Sequence, residues 1–106
     1  MEYSYREGDR ILQKLIKSKN KKYKPTCHIK KKTKFRKINI NYLEKMLLTK
    51  EPLGELSSKK NRFKVYYPSE LNPNNDLIIV IAIDSDETIV GITAYEDSKT
   101  KREGIS

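Results

Sequence analysis

An α+β fold, with helices packed on one face of a small antiparallel β-sheet, is predicted by three observations. Apolar residues recur at helical spacing within 6–18 and again within 42–49. Side chains alternate between apolar and polar along 62–67, and two further strand-like runs follow, LIIVIAI and TIVGITAY. The helical segments precede the strands, and a chain with that order buries both kinds of element by laying the helices across the sheet. With 106 residues and no pair of cysteines, the chain has the size of one domain with an ordinary apolar core. An extra helix at about 6–18 and a flexible tail at about 97–106 are expected at its two ends.

The first helix, 6–18, sets Ile11, Leu12, Leu15 and Ile16 on one side, with Tyr5 joining them. Glu7 and Asp9 suit its positive end and Lys17 and Lys19 its negative end. It packs on the sheet or mediates self-association. Asn20 opens a polar break, and Pro25 interrupts any helix before it. The next segment has two readings: a helix over 27–37 capped by Thr26, or a strand over 23–30. In the helical reading His28, Lys32, Phe35 and Arg36 share one broad face. A helix over 42–49 follows, with Asn41 as cap, Glu44 three residues on, and Leu43, Met46 and Leu47 buried. Pro52 and Gly54 end that segment.

Three or four antiparallel strands make up the remainder. In 62–67, Phe63, Val65 and Tyr67 point one way and Arg62, Lys64 and Tyr66 the other. The run 77–83 is apolar on both faces, as a central strand covered on each side must be. DSDE reads as a hairpin turn, and 88–95 as the returning strand, where Gly91 marks a bulge or a close approach.

Charge divides the chain. Residues 1–50 hold 16 Lys and Arg against 4 Asp and Glu, a net +12, while residues 51–106 hold 7 against 10, a net −3. Within 19–37 there are ten Lys or Arg and no acid. Such a run repels itself unless solvent, salt or a polyanion compensates. Phosphodiesters do so with release of counterions, which makes nucleic acid the expected partner, RNA before DNA. Lys30, Lys31, Lys32, Lys34, Arg36, Arg62 and Lys64 are the candidate phosphate ligands. The plain alternative is a solvated basic face.

His28 is the only histidine. Histidine is the usual proton shuttle near neutral pH. In metal-independent RNA cleavage one group takes the 2′-hydroxyl proton, another protonates the leaving 5′-oxygen, and a cation stabilises the phosphorane. His28 fits the first or second role, Lys32 and Arg36 the third; a solvated surface histidine is the rival reading. Tyr66 and Tyr95 sit on strands where a ring can stack on a base, while Tyr67 packs with Phe63 and Val65. Metal is not expected: Cys27 and His28 have no companions to close a zinc site, and Asp84, Asp86 and Glu87 belong to a turn. No cofactor fingerprint occurs. No apolar run approaches the roughly 18 residues of a membrane span. The start MEYSYREGDR lacks the apolar stretch of a signal peptide, and the single thiol fits the reducing cytoplasm.

From His28 to Tyr95 the residues resemble the DUF4258 family, small proteins related to RelE-like toxins and to the barnase/EndoU/colicin-type ribonucleases. The resemblance rests on His28, Lys32, Arg36 and Ile38 at their spacing, on NINYLEKMLL, on RFKVYYP, and on LIIVIAI and IVGITAY with Thr93 and Tyr95. It covers about two thirds of the chain. Lys32 stands where the family usually has arginine, and Lys37 where a glycine often precedes the isoleucine. The resemblance implies a metal-independent endoribonuclease of toxin type, held in check by an acidic antitoxin. It implies a catalytic set of His28, Arg36, Tyr66 and Tyr95, with 27–37 helical and His28 turned toward the sheet. Beside it stand a non-catalytic nucleic-acid-binding module and a basic protein that meets an acidic partner.

Overall fold

A computed structural model describes residues 5–17, 22–59, 62–84 and 88–103. The fold is α+β. In chain order the elements are α1 (Tyr5–Lys17), β1 (Tyr23–Pro25), α2 (Cys27–Phe35), α3 (Ile40–Thr49), β2 (Gly54–Lys59), β3 (Arg62–Pro68), β4 (Asn75–Ile83), β5 (Ile89–Ser98) and α4 (Lys99–Glu103). The strands lie in the order β1-β5-β4-β3-β2. β2 to β5 form an antiparallel meander, but β1 runs parallel to β5, so the sheet is mixed and not purely antiparallel. Both readings of the basic segment thus hold in part: a three-residue strand, then a helix.

Strand alternation assigns the two sheet faces. Phe63, Val65 and Tyr67 of β3 join Leu77, Ile79, Ile81 and Ile83 of β4 and Ile89 and Ala94 of β5 in one core. Leu12 and Leu15 of α1, Ile29 of α2, and Leu43, Met46 and Leu47 of α3 cover that face. The first helix therefore packs on the sheet, and the Gln13 amide of α1 donates to the Glu55 carboxylate of β2. Tyr5, Glu7, Asp9 and Ile11 have side chains outside those described, as do Lys19 and Asn20. β4 is central and largely buried on both sides, as its unbroken apolar run requires.

Gly91 marks both features its position suggested. The pairing of β4 with β5 slips by one residue there, from Val80–Thr93 to Ile81–Gly91. A Cβ on Gly91 would stand 2.5 Å from the Tyr23 hydroxyl and 3.0 Å from Ile29 Cδ1. The following turn lies partly outside the described residues, Ser85, Asp86 and Glu87 among them. Its flanks are tied, since Asp84 Oδ1 accepts from the Thr88 N–H at 3.2 Å.

Two local expectations are corrected, and the fourth antiparallel strand is located. The cap of α3 is Asn39, not Asn41: its side-chain oxygen accepts from the N–H groups of Asn41 (2.9 Å) and Tyr42 (3.3 Å), so the helix starts two residues early. The polar stretch Gly54–Lys59 is a strand, paired along β3 as the sheet's outer member. Residues 97–103 are not a loose tail. β5 runs through Ser98, and α4 turns back onto the sheet face opposite α1, α2 and α3. There Arg102 Nε donates to Asp76 Oδ2 at 2.7 Å, and the Arg102 Cδ lies 3.4 Å from where a Gly54 Cβ would be.

The end of α2 explains why glycine would suit position 37. Ile38 N–H donates to Thr33 O (2.8 Å) and Lys37 N–H to Lys34 O (3.3 Å), the paired bonds of a Schellman close. Its left-handed residue is Lys37, at φ 57°. A non-glycine side chain in that region costs about 1–2 kcal/mol, partly offset by the roughly 0.4–1 kcal/mol by which glycine loosens the unfolded chain. Lys37→Gly is therefore expected to stabilise the protein by about 0.5 kcal/mol and to raise Tm by roughly 3 °C in a calorimetric scan. A fall in Tm would mean that contacts of the lysine stem outweigh the backbone strain.

Candidate nucleic-acid interface

The basic helix is anchored by uncharged residues, which frees its cations. Thr26 caps α2: its hydroxyl oxygen accepts from the Ile29 N–H at 3.2 Å. The same hydroxyl and the Thr26 N–H both donate to the Gly91 carbonyl of β5, at 2.7 and 3.1 Å. Ile29 and Thr33, four residues apart, form the buried stripe, and the Thr33 hydroxyl donates to Ile29 O at 2.9 Å. Lys30, Lys31, Lys34, Arg36 and Lys37 are left exposed and Lys32 half-buried, with no acidic residue on the helix. Lys32 and Lys34 in the last turn also favour the helix dipole.

At the C-cap Arg36 bends back onto the sheet. Its Nη1 donates to the Ala94 carbonyl at 2.6 Å and lies 3.4 Å from the Thr93 hydroxyl. Its guanidinium carbon sits 5.9 Å from the centre of the Tyr95 ring, within cation–π range. An open groove of about 460 Å³ lies there, lined by Arg36, Lys37, Ile38, Leu71, Tyr95 and Glu96. Leu71, 78% exposed, comes from the β3–β4 loop. Glu96 puts one negative charge in the groove, but its oxygens accept from the Ser69 hydroxyl at 2.8 Å and the Asn75 amide at 3.4 Å. The neighbouring Tyr42 hydroxyl has a raised pKa, through burial first and then through Glu70 and Glu96.

The structure unites some predicted site residues and parts others. Arg36 and Tyr95 meet. His28 is exposed in the first turn of α2. It lies eight residues before Arg36, about 12 Å along the helix axis at 1.5 Å per residue. It does not turn toward the sheet beside Arg62, Tyr66 or Tyr95, because the buried stripe of α2 is Ile29–Thr33 and β3 is two strands from β5. Tyr66 is no stacking platform: it is only 5% exposed and lies on the face where α4 sits, with Arg102 and Gly54 beside it. Its hydroxyl has a raised pKa, through burial first, opposed by Lys64 and reinforced by Tyr95, Asp76 and Asp97; Tyr95 lies on the same sheet face, with Ile78 between the two. Lys64, half-buried, and Arg62, exposed, share that outer face, remote from α2. Among the described residues no cluster of three or more His, Cys, Asp or Glu forms that would hold a metal, and no helix is long and apolar enough to cross a membrane.

Two residues near this corner carried no site role in the sequence reading: Phe35 and Leu71, 83% and 78% exposed. Phe35 was legible as an aromatic residue flanked by cations, because Ile29 and Thr33 already fill the buried side. Leu71 gave no signal inside a polar loop.

The model of the MJ0788 family matches residues 9–81. The chain belongs to the MJ0788 family. Its matched region runs from α1 into β4 and so contains α2 and Arg36, while Thr93 and Tyr95 lie beyond it. MJ0788 is a different family name from DUF4258, and the match says nothing of a RelE-like or barnase/EndoU/colicin relationship. No curated protein and no solved structure matches the chain.

Proposed function

We propose that this MJ0788-family protein is a nucleic-acid-binding module whose ligand is the phosphodiester backbone, RNA foremost. The observation that carries this reading is an exposed, acid-free row of cations on α2 that ends at Arg36, poised over Tyr95. Phosphates along α2 replace solvent as the partners of Lys30, Lys31 and Lys34, and each neutralised phosphate releases counterions. Arg36 offers a planar fork of donors, of which Nη1 is engaged with Ala94. A cytoplasmic setting supplies both RNA and a reducing environment for the exposed Cys27. The distance between His28 and the Arg36–Tyr95 corner favours binding over the toxin-type cleavage that the DUF4258 resemblance implies.

The test is binding of a labelled RNA and its DNA counterpart to the full chain across a salt series. Lys30→Gln/Lys31→Gln/Lys34→Gln is expected to weaken binding by roughly 10- to 100-fold and to flatten the logarithmic salt dependence by about 2. Equal affinity of the wild type and the triple variant for both strands would overturn the assignment. Tight capture of an acidic peptide in place of either strand would point instead to an antitoxin-like partner. RNA breakdown in EDTA that His28→Ala abolishes would restore the nuclease reading.

A further inference from the structure

Phe35 is the most exposed large apolar side chain described, at 83%. A lone apolar residue on a surface is ordinary. This one differs in its surroundings. Lys31 and Lys32 precede it by four and three residues, so they stand on its side of the helix, and Arg36 follows it directly. Its ring lies outside the Ile29–Thr33 stripe and contributes nothing to the core. No acid lies on α2 beside it, so the occupant these neighbours fit has negative charges around a flat apolar unit.

A nucleotide with an unpaired base has those two parts. Stacking on an aromatic ring needs an exposed π-face, and a duplex keeps its bases from offering one. An acidic peptide matches the cations but brings no flat ring by necessity. We propose that Phe35 stacks on an unpaired base, with Lys31 and Lys32 holding its flanking phosphates. The protein thereby selects single-stranded over double-stranded nucleic acid. This inference rests on the phosphodiester-binding reading given above and names its substrate class.

The experiment uses the full chain and a short single-stranded RNA carrying 2-aminopurine, together with the same RNA annealed to its complement. Phe35→Ala is expected to weaken single-strand binding roughly 10-fold, toward the low end of the range for losing one base–aromatic stack. It should leave duplex binding unchanged, abolish quenching of 2-aminopurine, and leave the circular dichroism spectrum as it is. Phe35→Tyr should keep both affinity and quenching. Unchanged single-strand affinity in Phe35→Ala, with a loss in Lys31→Gln, would overturn the stacking role and leave phosphate binding standing. Absence of binding to either RNA by the wild type would remove both. An acidic polypeptide such as polyglutamate that displaces the RNA, with the same dependence on Phe35, would overturn the assignment in favour of a protein partner.

Discussion

Replacing Arg102 with methionine is expected to lower stability by about 3 kcal/mol, the lower end of what breaking a buried ion pair costs. Asp76 is 2% exposed, and Arg102 Nε donates to it at 2.7 Å. Methionine preserves much of the stem that lies near Gly54 but leaves a carboxylate in the sheet without its cation. The Arg102 side chain is 24% exposed, so water partly relieves the loss, which places the value at the low end. Tm should fall by more than 10 °C, at roughly 4–8 °C per kcal/mol for a domain of this size. Adding Asp76→Asn should recover a good part of that loss, because an amide replaces the uncompensated charge. A change below about 0.5 kcal/mol in the single variant, as at an exposed pair, would show that α4 does not seal this end of the sheet.

Gly91→Ala is expected to cost about 2 kcal/mol, within the range for overpacking a filled core. The reason is space and not backbone freedom, since no glycine described has a positive φ. The added methyl meets the Tyr23 hydroxyl at 2.5 Å and both Tyr23 Cε1 and Ile29 Cδ1 at 3.0 Å. Neither neighbour yields easily: Tyr23 is held in β1 by pairing with Ile89, and Ile29 is fully buried. The Tyr23 hydroxyl is itself buried with no hydrogen-bond partner among the described residues. Burial, and then the charge of Glu44, pushes its pKa up to about 12. Tyr23→Phe therefore removes an unsatisfied group and should be close to neutral. In that background Gly91→Ala should cost half as much or less, and chemical denaturation of the four proteins measures the coupling. Additive effects would show that Ile29, not the hydroxyl, is the obstacle.

Much of the scaffold is written in short-range pattern. Alternation placed Phe63, Val65 and Tyr67 inside, the unbroken run 77–83 placed β4 in the middle, and Thr26 and Gly91 were readable as a cap and a close approach. What escaped depends on partners distant in the chain. β1 is three residues long and exists because Ile89–Gly91 offers it an edge about 65 residues later. β2 is polar and paired with strand only on its β3 side, so no apolar alternation announces it. Asn39 and Asn41 are chemically equal caps, and the Schellman close of α2 at Lys37 and Ile38 fixes which one the chain reaches first. The candidate site divides in the same way. The cation row on α2 was legible because it is local, whereas the meeting of Arg36 with Tyr95 and the approach of Arg102 and the Tyr66 ring to Gly54 are tertiary.

Arg36 also bears on how separate molecules avoid one another. β1 ends at Pro25, so past Gly91 the outward rim of β5 has no strand alongside among the described residues. A bare rim invites a neighbouring molecule to add its own backbone, the first step toward fibrous aggregates. The guanidinium parked on the Ala94 oxygen occupies an acceptor such an intruder would use, and it brings a charge that an approaching copy, itself strongly cationic, must confront. A side chain suited to gripping a ligand would thereby double as a gatekeeper against self-templating.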